Sequence, residues 1–136
     1  MEPITVKELC AAVRGTLLQG DETTTLLGVN TDSRTVKEGE VFLPLAGERF
    51  DGHDYMAKAL ENGAAGCLCA RVPETLFPRK FCIRVPDTLL ALKDLAAWYR
   101  ARFNLPVVQV TGSVGKTTTK EMIASVLGAK FNTLKT

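Results

Sequence analysis

One segment, Val107-Val108-Gln109-Val110-Thr111-Gly112-Ser113-Val114-Gly115-Lys116-Thr117-Thr118, constrains this chain more than any other. A β-branched run that reads as a buried strand leads into a glycine turn. A helix is expected from there to about Leu127. Strand, glycine turn and helix in that order is the setting a phosphate-binding loop requires. Glycines at 112 and 115 let backbone N–H groups point inward with no Cβ in the way. The positive end of the following helix adds favourable potential for an anion. Residues Gly112, Ser113, Val114, Gly115, Lys116, Thr117 and Thr118 are therefore the expected phosphate cradle. Lys116 is the expected catalytic cation, reaching the β- and γ-phosphates of ATP, and the Thr117 hydroxyl is the expected Mg²⁺ ligand. The segment departs from G-x-x-x-x-G-K-[ST], whose first glycine would fall at Val110, so the loop is of a short T-G-x-x-G-K-T type. The bland alternative is a glycine-rich strand-to-helix turn with an accidental Gly-Lys-Thr.

The rest of the chain gives this loop a mixed α/β context. Thr5-Val6-Lys7-Glu8 has the form of a capping box, followed by Val6, Leu9, Cys10 and Val13 at helical spacing and Gly15 as the stop. Short apolar runs at Thr16–Leu18, Leu26–Val29 and Val41–Leu45 read as strands between turn signals. Asp54 is the expected cap of a helix to about Glu61, closed by Asn62-Gly63. Strands are expected at Gly66–Ala70 and Phe81–Val85. Asp87 caps the longest helix, where Leu89, Leu92, Leu95, Ala96, Tyr99 and Phe103 recur every three or four residues. Phe131–Leu134 could start another strand. The boundary is expected near Pro86: residues 1–85 as a compact α/β domain, and 86–136 as the opening of a doubly wound, P-loop ATPase-like domain. That second domain is incomplete, because one strand and two helices cannot build such a sheet.

Composition narrows the class. Among 136 residues, 46% are apolar, which excludes disorder. The charge of +2, from 17 basic and 15 acidic residues, is too near balance to mark a nucleic-acid binder. No stretch has the apolar length of a membrane span, and Met1-Glu2-Pro3 carries no export signal, so a cytoplasmic protein is expected. Cys67-x-Cys69 has the wrong spacing for a zinc knuckle, and the only histidine, His53, lies elsewhere. The thiols read as small buried strand residues.

Two polar segments in the first domain are candidates for anion or base recognition. Asp32-Ser33-Arg34 sets a guanidinium beside a hydroxyl, a pair suited to a diphosphate, or equally a plain Asx turn with a surface Arg. Glu48-Arg49-Phe50-Asp51-Gly52-His53 combines two charges, an aromatic face and a glycine in one loop. Either it stacks on a planar base, or it is a solvated loop with Phe50 turned into the core.

Thr111-Gly112-Ser113-Val114-Gly115-Lys116-Thr117, followed by Thr119-Lys120-Glu121, resembles the ATP loop of the Mur ligases, the cytoplasmic amide-bond-forming enzymes of peptidoglycan synthesis. The Gly-Ser-x-Gly-Lys-Thr form with Lys-Glu downstream is most similar to the branch that adds D-alanyl-D-alanine. The diaminopimelate- or lysine-adding ligases and the folylpolyglutamate synthases more often carry Gly-Thr-Asn-Gly-Lys. Thr31-Asp32-Ser33-Arg34, Gly39-Glu40-Val41-Phe42 and Gly47-Glu48-Arg49-Phe50-Asp51-Gly52-His53 are similar to the family's uridine-nucleotide-binding domain.

The resemblance covers essentially the whole chain and makes it the front part of a longer protein. It implies that Thr31, Ser33, Glu48, Arg49 and Phe50 line the uridine pocket, with Arg34 near the diphosphate. It further implies phosphorylation of the terminal carboxylate of UDP-N-acetylmuramoyl-tripeptide by ATP with Mg²⁺, then attack by the amine of D-alanyl-D-alanine. Residues 1–136 alone are expected not to turn over ATP. Alternatives are a diaminopimelate- or lysine-adding ligase, a different P-loop enzyme such as a small kinase, and a non-catalytic uridine-nucleotide-binding module.

Overall fold

The structure, a computed structural model, describes all 136 residues, Met1–Thr136. The chain forms two compact units, Met1–Phe103 and Asn104–Thr136.

The first unit opens with β1 (Ile4–Thr5) and α1 (Val6–Val13). The capping box is present: Glu8 N donates to Thr5 Oγ1 at 3.2 Å, and Thr5 N donates to Glu8 Oε2 at 2.8 Å. Val6, Leu9, Ala12 and Val13 form the buried stripe of α1. The left-handed residue that ends α1 is Arg14 (φ 52°) rather than Gly15. Gly15 is needed for a different reason: a Cβ there would lie 2.5 Å from Ile83 Cγ2.

β2 (Thr16–Gln19), β3 (Thr25–Leu26), β4 (Gly28–Asn30), β5 (Glu40–Phe42), β6 (Gly66–Cys69) and β7 (Phe81–Arg84) complete the strands. The expected single strand Leu26–Val29 is thus two. β3 pairs antiparallel with β1, and β4 belongs to the main sheet. Between them Leu27 turns its side chain outward while its N–H bonds Gly39 O at 2.8 Å.

The main sheet runs β2-β7-β6-β5-β4, with β4 to β7 parallel and β2 antiparallel on the β7 edge. Period-two alternation sorts its side chains between two cores. Val41, Leu43, Leu68, Phe81, Ile83 and Val85 join α1 and Ala91 and Leu95 of α3 (Thr88–Ala101). Phe42, Cys67, Cys69 and Cys82 face Met56, Ala59 and Leu60 of α2 (Met56–Glu61). Both faces of β6 are covered, so all four of its residues are buried, as a central parallel strand requires. The α/β class is borne out.

Helix α3, read from the sequence as the start of the second domain, packs in the first unit's core. Arg102, at its end, lies 3.6 Å from Glu8 of α1. The division therefore falls between Phe103 and Asn104, not near Pro86. Within Asn104–Thr136 the regular element is α4 (Lys116–Gly128). The expected strands at Val107–Val110 and Phe131–Leu134 do not form. A strand exists only as part of a ladder, and here Val107 and Val108 stand 70% and 61% exposed. No helix is long and apolar enough to cross a membrane.

Candidate functional site

The glycine loop of the second unit bends at Ser113–Gly115 and enters α4 directly. Gly112 (φ 147°) and Gly115 (φ 80°) hold conformations that side chains rarely adopt, which is why the loop needs glycine at both positions. Gly115 is the N-cap of α4, and no side chain caps the helix. The first-turn amides of α4 are therefore open to an external acceptor, with the helix dipole behind them. A Cβ built on Gly115 would meet nothing within 4 Å, so the approach is clear as well as conformationally special.

Residues 112–118 are all exposed. Lys116 leads the helix and is exposed, with its ammonium in no ion pair. Open N–H groups, a lysine and two threonine hydroxyls at a helix start fit the terminal phosphates of a nucleotide. For a divalent cation the donor set is one-sided. Glu121, the one acidic residue of this unit, is paired with Lys120 at 3.5 Å and with Lys135. That leaves the exposed hydroxyls of Ser113, Thr117 and Thr118 as the side-chain oxygens of the loop, a donor set that would suit a cation such as Mg²⁺, whose sites rely on phosphate and water for the rest.

The first unit carries a cleft of about 360 Å³ at the β4 and β5 end of its sheet. It is lined by Thr31, Asp32, Ser33, Arg34, Phe42, Phe50, Gly52, Tyr55 and Lys58. Four of the six residues expected to bind the uridine nucleotide, Thr31, Ser33, Arg34 and Phe50, meet there. Glu48 and Arg49 do not: they sit exposed at the tip of a turn closed by Gly47 N donating to Phe50 O at 2.8 Å.

The Thr31–Arg34 wall is an Asx turn built on Asn30. Asp32 N donates to Asn30 Oδ1 at 2.9 Å, and Asn30 Nδ2 donates to Glu40 Oε2 at 3.1 Å. Arg34 grips Asp32 through Nε to Oδ1 at 2.9 Å and Nη2 to Oδ2 at 2.7 Å. Those hydrogen bonds hold the Asp32 carboxyl down at about 2. Ser33 is buried, and its carbonyl accepts Asn62 Nδ2 at 2.8 Å, which ties this wall to the end of α2.

The opposite wall is carried by a 3-10 turn, Gly52–Tyr55. Its cap is Asp51, whose Oδ1 accepts His53 N at 2.9 Å. The sequence had pointed to Asp54, but that carboxylate instead meets Arg71 Nη2 at 2.5 Å. The buried His53 ring bridges Asp51 and Ala70, the residue that follows β6. Phe50, Tyr55 and Lys58 all remain exposed on this side.

Tyr55 and Lys58 escaped sequence reasoning. Their signal was spacing: they lie one residue before α2 and three residues further on, one helical turn apart on the side away from buried Met56, Ala59 and Leu60.

The model of the Mur ligase family, catalytic domain, matches residues 25–100. The UDP-N-acetylmuramoyl-tripeptide–D-alanyl-D-alanine ligase of Bacillus subtilis (strain 168) is 44% identical over 133 residues. That match takes in 97% of this chain and 29% of that enzyme. A crystal structure of MurF from Acinetobacter baumannii superposes with a TM-score of 0.85 at 37% identity, over 96% of this chain and 28% of that one. MurF ligase from Thermotoga maritima, solved in complex with ADP, superposes with a TM-score of 0.66 at 39% identity, over 75% of this chain and 23% of that one. The chain thus spans under a third of the length of the relatives it matches.

Proposed function

The chain belongs to the Mur ligase family, and on that premise we propose that it carries the uridine-nucleotide cleft and the ATP loop of a ligase that joins D-alanyl-D-alanine to UDP-N-acetylmuramoyl-tripeptide. The observation that carries the ATP part is the start of α4: a left-handed glycine N-cap, no side-chain cap and a free Lys116. Support for the substrate comes from identity to the Bacillus subtilis enzyme over 97% of the chain. The ADP complex of the Thermotoga maritima relative supports the nucleotide.

In this reading a carboxylate oxygen of the tripeptide attacks the γ-phosphorus of ATP, and ADP leaves. The amine of D-alanyl-D-alanine then attacks the acyl carbon of the acyl phosphate, and phosphate leaves. The chain's own part is positioning and charge neutralisation. The amides of the Gly112–Thr118 loop bind the phosphate tail, and Lys116 offsets charge developing between the β- and γ-phosphates. Thr117 would ligate Mg²⁺, which when bound adds positive charge across the same oxygens. In the first unit, Thr31, Ser33 and Phe50 hold the uridine end, on a wall that Arg34 braces through Asp32. Such an enzyme, using ATP and a UDP-activated precursor, works in the cytoplasm.

The test is ligation by the full-length enzyme, read by mass of the product and by phosphate release. D-Alanyl-D-alanine-dependent release, lost in Lys116→Ala, is the expected result. Addition of diaminopimelate or lysine in place of the dipeptide would move the chain to a different branch. Release without any amine acceptor would remove the ligase reading.

A further inference from the structure

The cleft of the first unit has three charged groups on its lining: Asp32, Arg34 and Lys58. Two of them neutralise each other. Asp32 and Arg34 form a forked pair with bonds of 2.9 and 2.7 Å, and the backbone N–H of Arg34 also donates to Asp32 Oδ1 at 2.9 Å. A guanidinium used this way braces the turn.

Lys58 is different: its ammonium has no ion-pair partner, so it supplies the net positive charge of the lining. The acid one helical turn before it, Asp54, is engaged by Arg71, which also lies 3.7 Å from Asp51. Beside Lys58 two large aromatic side chains, Phe50 (61% exposed) and Tyr55 (47% exposed), lie on the open cleft, above the buried Phe42. Exposed rings next to an unpaired cation in a cleft of about 360 Å³ suit a ligand with a planar base and an anionic tail.

We propose that Lys58, and not Arg34, receives the diphosphate charge of the uridine nucleotide, with Phe50 and Tyr55 flanking the base. This rests on reading the first unit as the uridine-nucleotide unit and assigns the charge recognition within it. Arg34 is the positioning residue that holds Asp32, and with it the Thr31–Ser33 backbone, in place.

The test compares UDP with uridine, titrated calorimetrically into the full-length enzyme at low ionic strength. Lys58→Gln is expected to weaken UDP about 3- to 10-fold and to leave uridine unchanged, because only the charged tail meets the ammonium. Lys58→Arg restores UDP binding. Arg34→Gln weakens both ligands by a similar factor, because it loosens the wall they share. Equal losses for both ligands in Lys58→Gln, or a UDP-selective loss confined to Arg34→Gln, overturns the assignment. Should the unsubstituted enzyme bind neither UDP nor uridine, the uridine-nucleotide reading itself fails, and this assignment with it.

Discussion

The Nε2 atom of His53 accepts the backbone N–H of Ala70 at 2.9 Å. A backbone amide can only donate, so Nε2 carries no proton and the ring hydrogen sits on Nδ1, 2.6 Å from Asp51 Oδ1. The histidine is a neutral strut between the cap of the Gly52–Tyr55 turn and the end of β6, and it holds the aromatic wall of the cleft. Replacing it with alanine leaves the Ala70 donor and a ring-sized gap behind. His53→Ala is expected to cost about 2–3 kcal/mol in denaturant unfolding. Nitrogen NMR of the native ring should show the Nδ1–H form; the Nε2–H form would refute the strut.

Three thiols, Cys67, Cys69 and Cys82, lie together and buried between β6, β7 and α2, with Cys69 and Cys82 sulfurs 3.5 Å apart. The hydrogen-bonding contact with Cys67 and burial push the Cys82 thiol up to about 12, and the contact with Cys82 raises Cys69 as well. Raised thiols are protonated and inert at neutral pH. Native protein treated with a thiol reagent near pH 8 should leave all three unmodified, and unfolded protein should react at every cysteine. The sign for stability follows. Unfolded Cys69 and Cys82 ionise near pH 9 and the folded pair does not, so stability is intact below that value and declines as pH rises toward 12.

Acid acts on Asp32 in the opposite sense. Its folded value, about 2, lies below the ordinary 3.8 because Arg34 donates to it. The Asp32–Arg34 fork should therefore persist above pH 4 and be lost only as the pH falls toward 2. The Arg34 Nε–H proton signal, followed down a pH series, reads this directly. Loss of that signal already near pH 4 would show the fork to be weaker than its geometry.

Two glycines should fail for different reasons when changed to alanine. In Gly66→Ala the new Cβ would sit 2.4 Å from the Phe81 ring and from Phe81 O, inside the sheet, which is expected to cost about 1–3 kcal/mol of stability. In Gly115→Ala the Cβ has free space and the penalty is purely conformational. A strain of about 1–2 kcal/mol should appear as roughly 5- to 30-fold weaker ATP binding by the full-length enzyme, with the first unit's unfolding midpoint unmoved.

Local signals were legible in the sequence where the physics was local. The capping box at Thr5–Glu8, the glycines of the loop and the small buried thiols of β6 each depend on near neighbours. What failed depended on distant partners. Periodicity marked α3 as a helix but could not say that Ala91 and Leu95 pack in the core shared with α1, so the unit boundary was misplaced. Val107–Val110 has strand composition, but composition supplies no neighbouring strand. Asp51 and Asp54 compete for one cap, and the choice turns on Arg71, far along the chain, which holds Asp54. For the cleft, the Asx turn and Phe50 were visible as polar and aromatic signals in loops. Tyr55 and Lys58 were masked as ordinary residues around a helix start, because only the folded position of that helix brings them opposite Thr31 and Ser33.

The uncapped beginning of α4 has a thermodynamic corollary. Most helices complete their first turn with a serine, threonine or aspartate of their own, and this one does not; under the proposed function the task falls to the nucleotide. Occupancy by nucleotide is then worth the same to the helix as a built-in terminus, so ATP should raise the melting temperature of the segment it binds, in proportion to the logarithm of its concentration above saturation. On the proposed reading, the fuel completes the secondary structure that holds it.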